Sequence, residues 1–110
     1  MNIPVESDFI QLRETGEWIN SQMKKIAYLH NTRLRITVTY ELTSDVWIAR
    51  ASFGIFGEED SSFFESDGNT LSQALTDLKK DLSKDRLARV VRDLKDAAGL
   101  FAESYNPYNQ

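Results

Sequence analysis

The spacing of hydrophobic side chains changes along this chain and predicts where helices and strands lie. Between residues 9 and 26 apolar side chains recur every three or four positions, with Gly16 in the one gap, which predicts a helix capped by Ser7 and ending around residues 29–32. Residues 33–42 then alternate strictly between polar and apolar, the pattern of a half-buried strand. The apolar members, which we expect on the buried face, are Leu34, Ile36, Val38, Tyr40 and Leu42.

Two more strands are expected after the first. Residues 43–45 (TSD) predict a turn into a β-branched and aromatic run at residues 46–56, and residues 57–60 (GEED) predict a second turn. A shorter third strand is expected around residues 61–65. Strands joined by such short turns pair as an antiparallel meander.

The last third of the chain predicts helical structure with one interruption. Thr70 and Gln73 have the spacing of a capping box, and an apolar stripe of helical period follows them. The stripe stops after Leu82 and resumes in a new phase at Leu87. Ser83 therefore marks either a kink or the cap of a third helix.

This order of elements predicts a single α+β domain over residues 1–104 with a flexible tail at 105–110. It consists of an N-terminal helix, a three-stranded antiparallel meander, and two C-terminal helices or one kinked helix on one face of the sheet. With 110 residues, 41% of them hydrophobic, the chain suffices for one core. The absence of cysteine and of a long apolar segment favours a cytoplasmic protein without a membrane span.

Charge and residue types limit the chemistry. The formal net charge is -4, with 17 acidic against 13 basic side chains, so the average surface repels nucleic acid. His30 is the only histidine and has no Asp, Ser or Cys motif beside it, and the acids match no calcium loop. We expect no enzyme, no metal and no cofactor.

A helix start and two turns carry a resemblance to a known family. The stretch from Gly68 to Asp77, GNTLSQALTD, together with the Ser44-Asp45 hairpin and Gly57 after the second strand, resembles the HicB-like antitoxin family over residues 34–82. The resemblance implies a β-β-β-α core and a protein that neutralises a partner. The chain departs from the family by its N-terminal helix, its missing proline, Gln73 in place of an acid, and a helix where a further strand is usual.

The predicted topology is also similar to that of double-stranded-RNA-binding domains, which share the order helix, three strands, helix. Their RNA contact depends on a lysine cluster at the start of the second helix. Residues 69–73 here are Asn-Thr-Leu-Ser-Gln and carry no charge. The similarity therefore extends to the topology and not to the RNA-binding chemistry.

Five acids around the predicted third strand form a candidate partner-binding surface, called here the acidic edge. No basic residue occurs between Arg50 and Lys79. The acidic edge is either a solvated turn or a surface for an Arg- or Lys-rich partner, including one that otherwise binds DNA phosphates. Its members are Glu58, Glu59, Asp60, Glu65 and Asp67.

A basic row lies in the C-terminal helical region. Arg86, Arg89 and Arg92 are spaced three residues apart, so they can share one helix face and follow the phosphates of a nucleic-acid backbone. Aspartates interleave with basic residues in this region, and a solvated helix surface or a contact with a protein are the alternative interpretations. The row consists of Lys84, Arg86, Arg89 and Arg92.

Surplus apolar residues predict a contact with another chain. Phe63 and Phe64 are adjacent and must point to opposite faces of a regular strand, so one of them needs cover from a helix, a second copy or a partner. Leu94 and Phe101 belong to a long apolar helical stripe. We expect a two-fold homodimer through the sheet or the last helix.

These features together predict a non-enzymatic protein-binding module, of an antitoxin-like or inhibitor-like kind known from bacteria and phages, with an unidentified protein partner. Acidic charge, spare aromatic side chains and missing catalytic residues all favour contact over chemistry. The alternative is a nucleic-acid-binding protein that uses the basic row.

Overall fold

The computed structural model describes residues 3–27 and 31–105, with side chains described as far as Ala98. It is an α+β fold in which a three-stranded antiparallel sheet packs against helices, as the sequence predicts. The elements are α1 (Glu6–Ile26), β1 (Thr32–Glu41), β2 (Val46–Ile55), β3 (Asp60–Gly68), α2 (Leu71–Asp81) and α3 (Lys84–Tyr105).

The sheet is a meander with β2 in the centre. All ten residues of β1 pair with β2 in one unbroken register, from Thr32 opposite Ile55 to Glu41 opposite Val46. The β2–β3 ladder has one irregularity, between Phe53 and Gly54. The short connections have backbone suited to tight turns, because Asp45 (φ 53°) and Gly57 (φ 89°) both adopt left-handed conformations.

The core lies between one face of the sheet, called here the inner face, and the helices. Ala49, Ala51 and Phe53 on the inner face of β2 are completely buried. Small alanines allow helices to approach the sheet closely at its centre, and the leucines of α2 fill the space above it. Buried α2 side chains are Leu71, Ala74, Leu75 and Leu78.

The helix boundaries confirm some predictions and correct others. α1 begins at Glu6 after the N-cap Val5, and the prediction of Ser7 as cap was wrong. The physical reason is Asp8, whose carboxylate accepts a hydrogen bond from Val5 N at 2.8 Å and so fixes the earlier start. The helix ends at Ile26, earlier than predicted, whereas residues 28–30, including His30, lie outside the described residues.

Ser83 separates two helices. Leu82 leaves helical geometry (φ -86°, ψ 68°), and the Ser83 hydroxyl accepts a hydrogen bond from Arg86 N at 3.3 Å. This confirms the cap rather than the kink. Thr70 likewise caps α2 through Gln73 N at 3.0 Å, although the Gln73 side chain bonds to Asp77 instead of completing the capping box.

The strands differ from expectation at their ends. Leu42 was expected on the buried face, but β1 ends at Glu41 and Leu42 lies in the turn with 79% of its surface exposed. A turn that contains the left-handed Asp45 cannot continue the alternation of a strand. β3 runs for nine residues rather than five, because its pairing with β2 continues to Gly68 opposite Trp47.

Candidate protein-binding surface

The sheet has a second face that the described helices leave uncovered, called here the open face. Its side chains follow from the register, since alternate residues of each strand point away from the core. Most of them are polar or charged, as a solvated sheet face requires. The open face carries Arg33, Arg35, Thr37, Thr39 and Glu41 from β1, Val46, Ile48, Arg50, Ser52 and Gly54 from β2, and Asp60, Ser61, Phe63, Glu65 and Asp67 from β3.

An aromatic ring and a guanidinium occupy the middle of the open face. Phe63 is 54% exposed, and Cζ of Arg50 lies 4.2 Å from the centre of its ring. Arg50 Nε is also 2.9 Å from a carboxylate oxygen of Glu65, so the guanidinium is held from two sides. Such a cation–π contact contributes about 0.5–1 kcal/mol at an exposed site. Phe63 is therefore an exposed aromatic side chain held in a defined position on a mostly polar surface.

Asp60 binds two arginines at one end of the open face. Its carboxylate accepts hydrogen bonds from Nη2 of Arg33 at 2.6 Å and from Nη2 of Arg35 at 2.7 Å. Arg33 reaches across β2 at Gly54, which is opposite Arg33 on one side and Asp60 on the other. A Cβ atom at Gly54 would lie 2.9 Å from the Asp60 carboxylate, so only glycine leaves room for this bridge.

The two arginines also change the acidity of Asp60. Hydrogen bonds from Arg33 and then Arg35 hold the pKa of the Asp60 carboxyl below its ordinary value of 3.8. A carboxyl whose pKa is lower in the folded than in the unfolded chain stabilises the fold when ionised. This contribution is complete above the unfolded pKa and is lost as the pH falls through the folded pKa.

Asp60→Asn is expected to lower the free energy of unfolding at pH 7 by on the order of 1 kcal/mol, because it removes the charge that both arginines bind. The difference from wild type should be constant between about pH 5 and 8 and should shrink below about pH 4, where the unfolded wild-type carboxyl becomes protonated. Urea unfolding at a series of pH values measures it. Glu59→Gln, at an exposed neighbour, is the control, and an equal pH dependence in both variants would contradict the assignment.

The structure does not keep the acidic edge together as one free cluster. Asp60 and Glu65 are bound to arginines, whereas Glu58 and Glu59 are exposed in the turn between β2 and β3. Asp67 lies seven strand residues from Asp60, a separation of about 23 Å. Among the described residues no group of three or more His, Cys, Asp or Glu side chains is placed to hold a metal ion.

The predicted apolar contact residues fall into three different environments. Phe63 lies on the open face and Phe64 on the inner face, which confirms that they point to opposite sides. Phe64 is partly buried, with its ring centre 6.1 Å from that of Phe53 and Cζ of Arg86 5.9 Å from its own ring. Leu94 is completely buried within the chain, and the Phe101 side chain lies outside the described residues.

The basic row is exposed along α3. Lys84, Arg86, Arg89 and Arg92 are all exposed, and none of them forms an ion pair within the described part of the chain. Exposed aspartates lie on the same helix, Asp85 between Lys84 and Arg86, and Asp93 and Asp96 after Arg92. The basic row is therefore accessible, but the neighbouring acids reduce its positive electrostatic potential.

Sequence reasoning missed the arginines of the open face as members of a site. Arg33 and Arg35 occupy the polar positions of the alternating strand and lie on the open face as that alternation predicts, whereas Arg50 had no predicted role. The signal that could have found their contacts is the length of the two turns, which fixes the register and places Arg50 opposite Glu65.

The chain was compared with models of protein families, with curated proteins and with solved structures, and no match was found in any of the three. The resemblance to HicB-like antitoxins stays an expectation from the sequence. Within the described residues, no helix has the length and apolar character needed to cross a lipid bilayer.

Proposed function

We propose that this protein is a non-enzymatic protein-binding module that contacts its partner through the open face. The observation that carries the proposal is Phe63, which is 54% exposed on an uncovered sheet face and is held there by Arg50. A protein of the inhibitor-like or antitoxin-like kind, acting in a reducing cytoplasm, fits a small cysteine-free chain with this surface.

The arrangement of the open face matches the anatomy of a protein interface. Interfaces combine a small apolar centre with a polar rim, and aromatic and arginine side chains supply most of their binding energy. Phe63 and Arg50 form such a centre, and the Arg33–Asp60–Arg35 network lies at the rim. The ion pairs keep these long side chains ordered before binding, which reduces the entropy that a partner's binding would cost.

The charge of the open face argues for a protein partner over a nucleic acid. All three of its arginines are bound to carboxylates, so little positive charge remains for phosphates. The exposed Glu58 and Glu59 beside the same end of the sheet add negative charge. A partner with basic side chains around an apolar pocket is complementary to this surface.

The basic row supports the alternative function. Arg86, Arg89 and Arg92 are exposed without an ion pair among the described residues, so α3 could bind a nucleic-acid backbone. The competing aspartates and the net charge of -4 argue against high affinity. This candidate serves as the contrasting outcome of the test.

Phe63→Ser is expected to abolish capture of the partner from a lysate of the native host, because it removes the apolar centre of the open face while leaving the core intact. Phe9→Ser is the matched control: Phe9 has the same 54% exposure but lies on α1, across the sheet from the open face. Quantitative mass spectrometry should find the same partner with wild type and Phe9→Ser, reduced at least tenfold with Phe63→Ser. Such a loss equals at least 1.4 kcal/mol of binding energy.

Two results would contradict the proposal. One is equal capture by all three chains, which would remove the open face from the contact. The other is binding of DNA or RNA at low salt that weakens steeply with salt and disappears in the double variant Arg86→Glu/Arg89→Glu. That outcome would establish the basic row as the functional surface.

A further inference from the structure

The two edges of the sheet are protected to different degrees. β3 carries Asp60, Glu65 and Asp67 and is irregular beside Gly54, and both charge and irregularity discourage pairing with another strand. β1 has ten regularly paired residues, no proline and a single acid, Glu41. Within the described chain β1 pairs with β2 alone, so its other edge has unpaired backbone groups.

The inner face of β1 is also incompletely covered. Leu34, Ile36 and Val38 are only partly buried, whereas the inner residues of β2 beside them are completely buried. A groove of about 470 Å³ separates α1 from β1. Its apolar lining includes Leu12, Ile36 and the largely exposed Phe56. Partly exposed apolar side chains along a free strand edge are the surface that strand addition covers.

The sequence of β1 is complementary to itself in the antiparallel direction. With a two-fold axis at Thr37, Ile36 of one strand is opposite Val38 of the other, and Leu34 is opposite Tyr40. On the open face Thr37 meets Thr37, Arg35 meets Thr39, and Arg33 meets Glu41. Each combination is one that stabilises or tolerates cross-strand pairing, and the last brings opposite charges side by side, with Arg33 also bound to Asp60 of its own chain.

Other registers fit less well. Partners must share a face, so the axis has to pass through a residue of the strand. An axis at Ile36 leaves Glu41 opposite Asn31, outside the strand and without its arginine. An axis at Val38 places Arg35 opposite Glu41 but leaves Arg33 beyond the end of the partner's strand, so only residues 35–41 pair. Only the Thr37 axis combines nine paired residues with an Arg–Glu match, since the Ile36 axis pairs as many residues but has no such match.

We propose that a second copy of this chain binds along the free edge of β1, with a two-fold axis at Thr37, and joins the two sheets into one of six strands. The occupant is a second copy rather than an unrelated strand because β1 is complementary to itself in length, side-chain size and charge. The contact lies at the sheet edge, and it does not rest on the proposed function of the open face.

Single cysteines test the placement, because the chain has none of its own. In this register the two Cβ atoms at position 37 lie about 4.5–5.5 Å apart, close to disulfide distance. The two at position 39 are separated by four residues of strand, about 13 Å. Thr37→Cys should therefore form a disulfide-linked dimer under mild oxidation, and Thr39→Cys, on the same exposed side of the same strand, should remain a single chain.

The wild-type chain should show by light scattering a mass that rises towards two chains with concentration, and Thr37→Cys should crosslink at least tenfold faster than Thr39→Cys. Circular dichroism of both reduced variants checks that they fold as wild type does. A mass of one chain at every concentration would overturn the proposal. So would a dimer that crosslinks equally at both positions or at neither, since the contact would then lie away from Thr37.

Discussion

Leu94→Asp is expected to unfold the chain, because Leu94 lies on the buried side of α3 and is completely buried. Removing a buried leucine costs about 2–5 kcal/mol, and an unpaired carboxylate in its place adds a large desolvation penalty. Domains of this size have a total stability of only about 5–15 kcal/mol. The variant should lack a cooperative urea transition when followed by circular dichroism.

Lys95→Asp is the matched control for this substitution, since it places the same carboxylate one residue further along α3 at an exposed position. Its free energy of unfolding should stay within about 0.5 kcal/mol of wild type. A Leu94→Asp chain that folds with the wild-type midpoint would show that this side chain is not in the core. In that case Leu94 would be accessible for the self-association that the sequence predicts.

Gly68→Ala is expected to destabilise the fold by about 1–3 kcal/mol through overpacking. Gly68 ends β3 where α2 begins, and a Cβ atom there would lie 2.7 Å from Ala74 N and 2.9 Å from Gln73 Cβ. Neither atom belongs to the flexible end of a side chain, so the start of α2 must move. The measurement is the midpoint of urea or thermal unfolding.

Gly16→Ala provides a control in which the same substitution has the opposite sign. Gly16 lies inside α1, and a Cβ atom there would meet only Cδ1 of Ile36 at 3.4 Å. Alanine in a helix interior is more stable than glycine by about 0.5–1 kcal/mol. A Gly68→Ala chain as stable as wild type would show that the contact between β3 and α2 is looser than the structure has it.

Periodicity and turn residues were sufficient to predict the order of elements, because each element depends mainly on its own side chains. Alternation along β1 and the capping side chains of Thr70 and Ser83 act within a few residues. The errors occur where a nearby polar side chain or a turn, rather than the apolar pattern, determines where a helix begins or a strand ends. Asp8 moved the start of α1 to Glu6, and the turn containing Asp45 placed Leu42 in solvent.

The candidate surface was less predictable because it depends on distances between strands. The sequence identified Asp60 and Glu65 as acids near one another but did not indicate that arginines from β1 and β2 bind them. Gly54 is the clearest example, since its role is to let Arg33 pass across β2 to Asp60. This role depends on the alignment of all three strands, so it cannot be predicted from the residues next to Gly54 in the sequence.

The position of α1 has a consequence for synthesis of the chain on the ribosome. Gln11 of α1 donates hydrogen bonds to Ser72 O and to the Thr76 hydroxyl of α2. These two partners are synthesised 61 and 65 residues after Gln11. At 5–20 residues per second, translation of that interval takes about 3–12 s. During this time Ile19 and Met23, both buried in the finished fold, lack the later helices against which α1 packs. The nascent N-terminal helix is thus an apolar segment accessible to chaperones until α2 emerges.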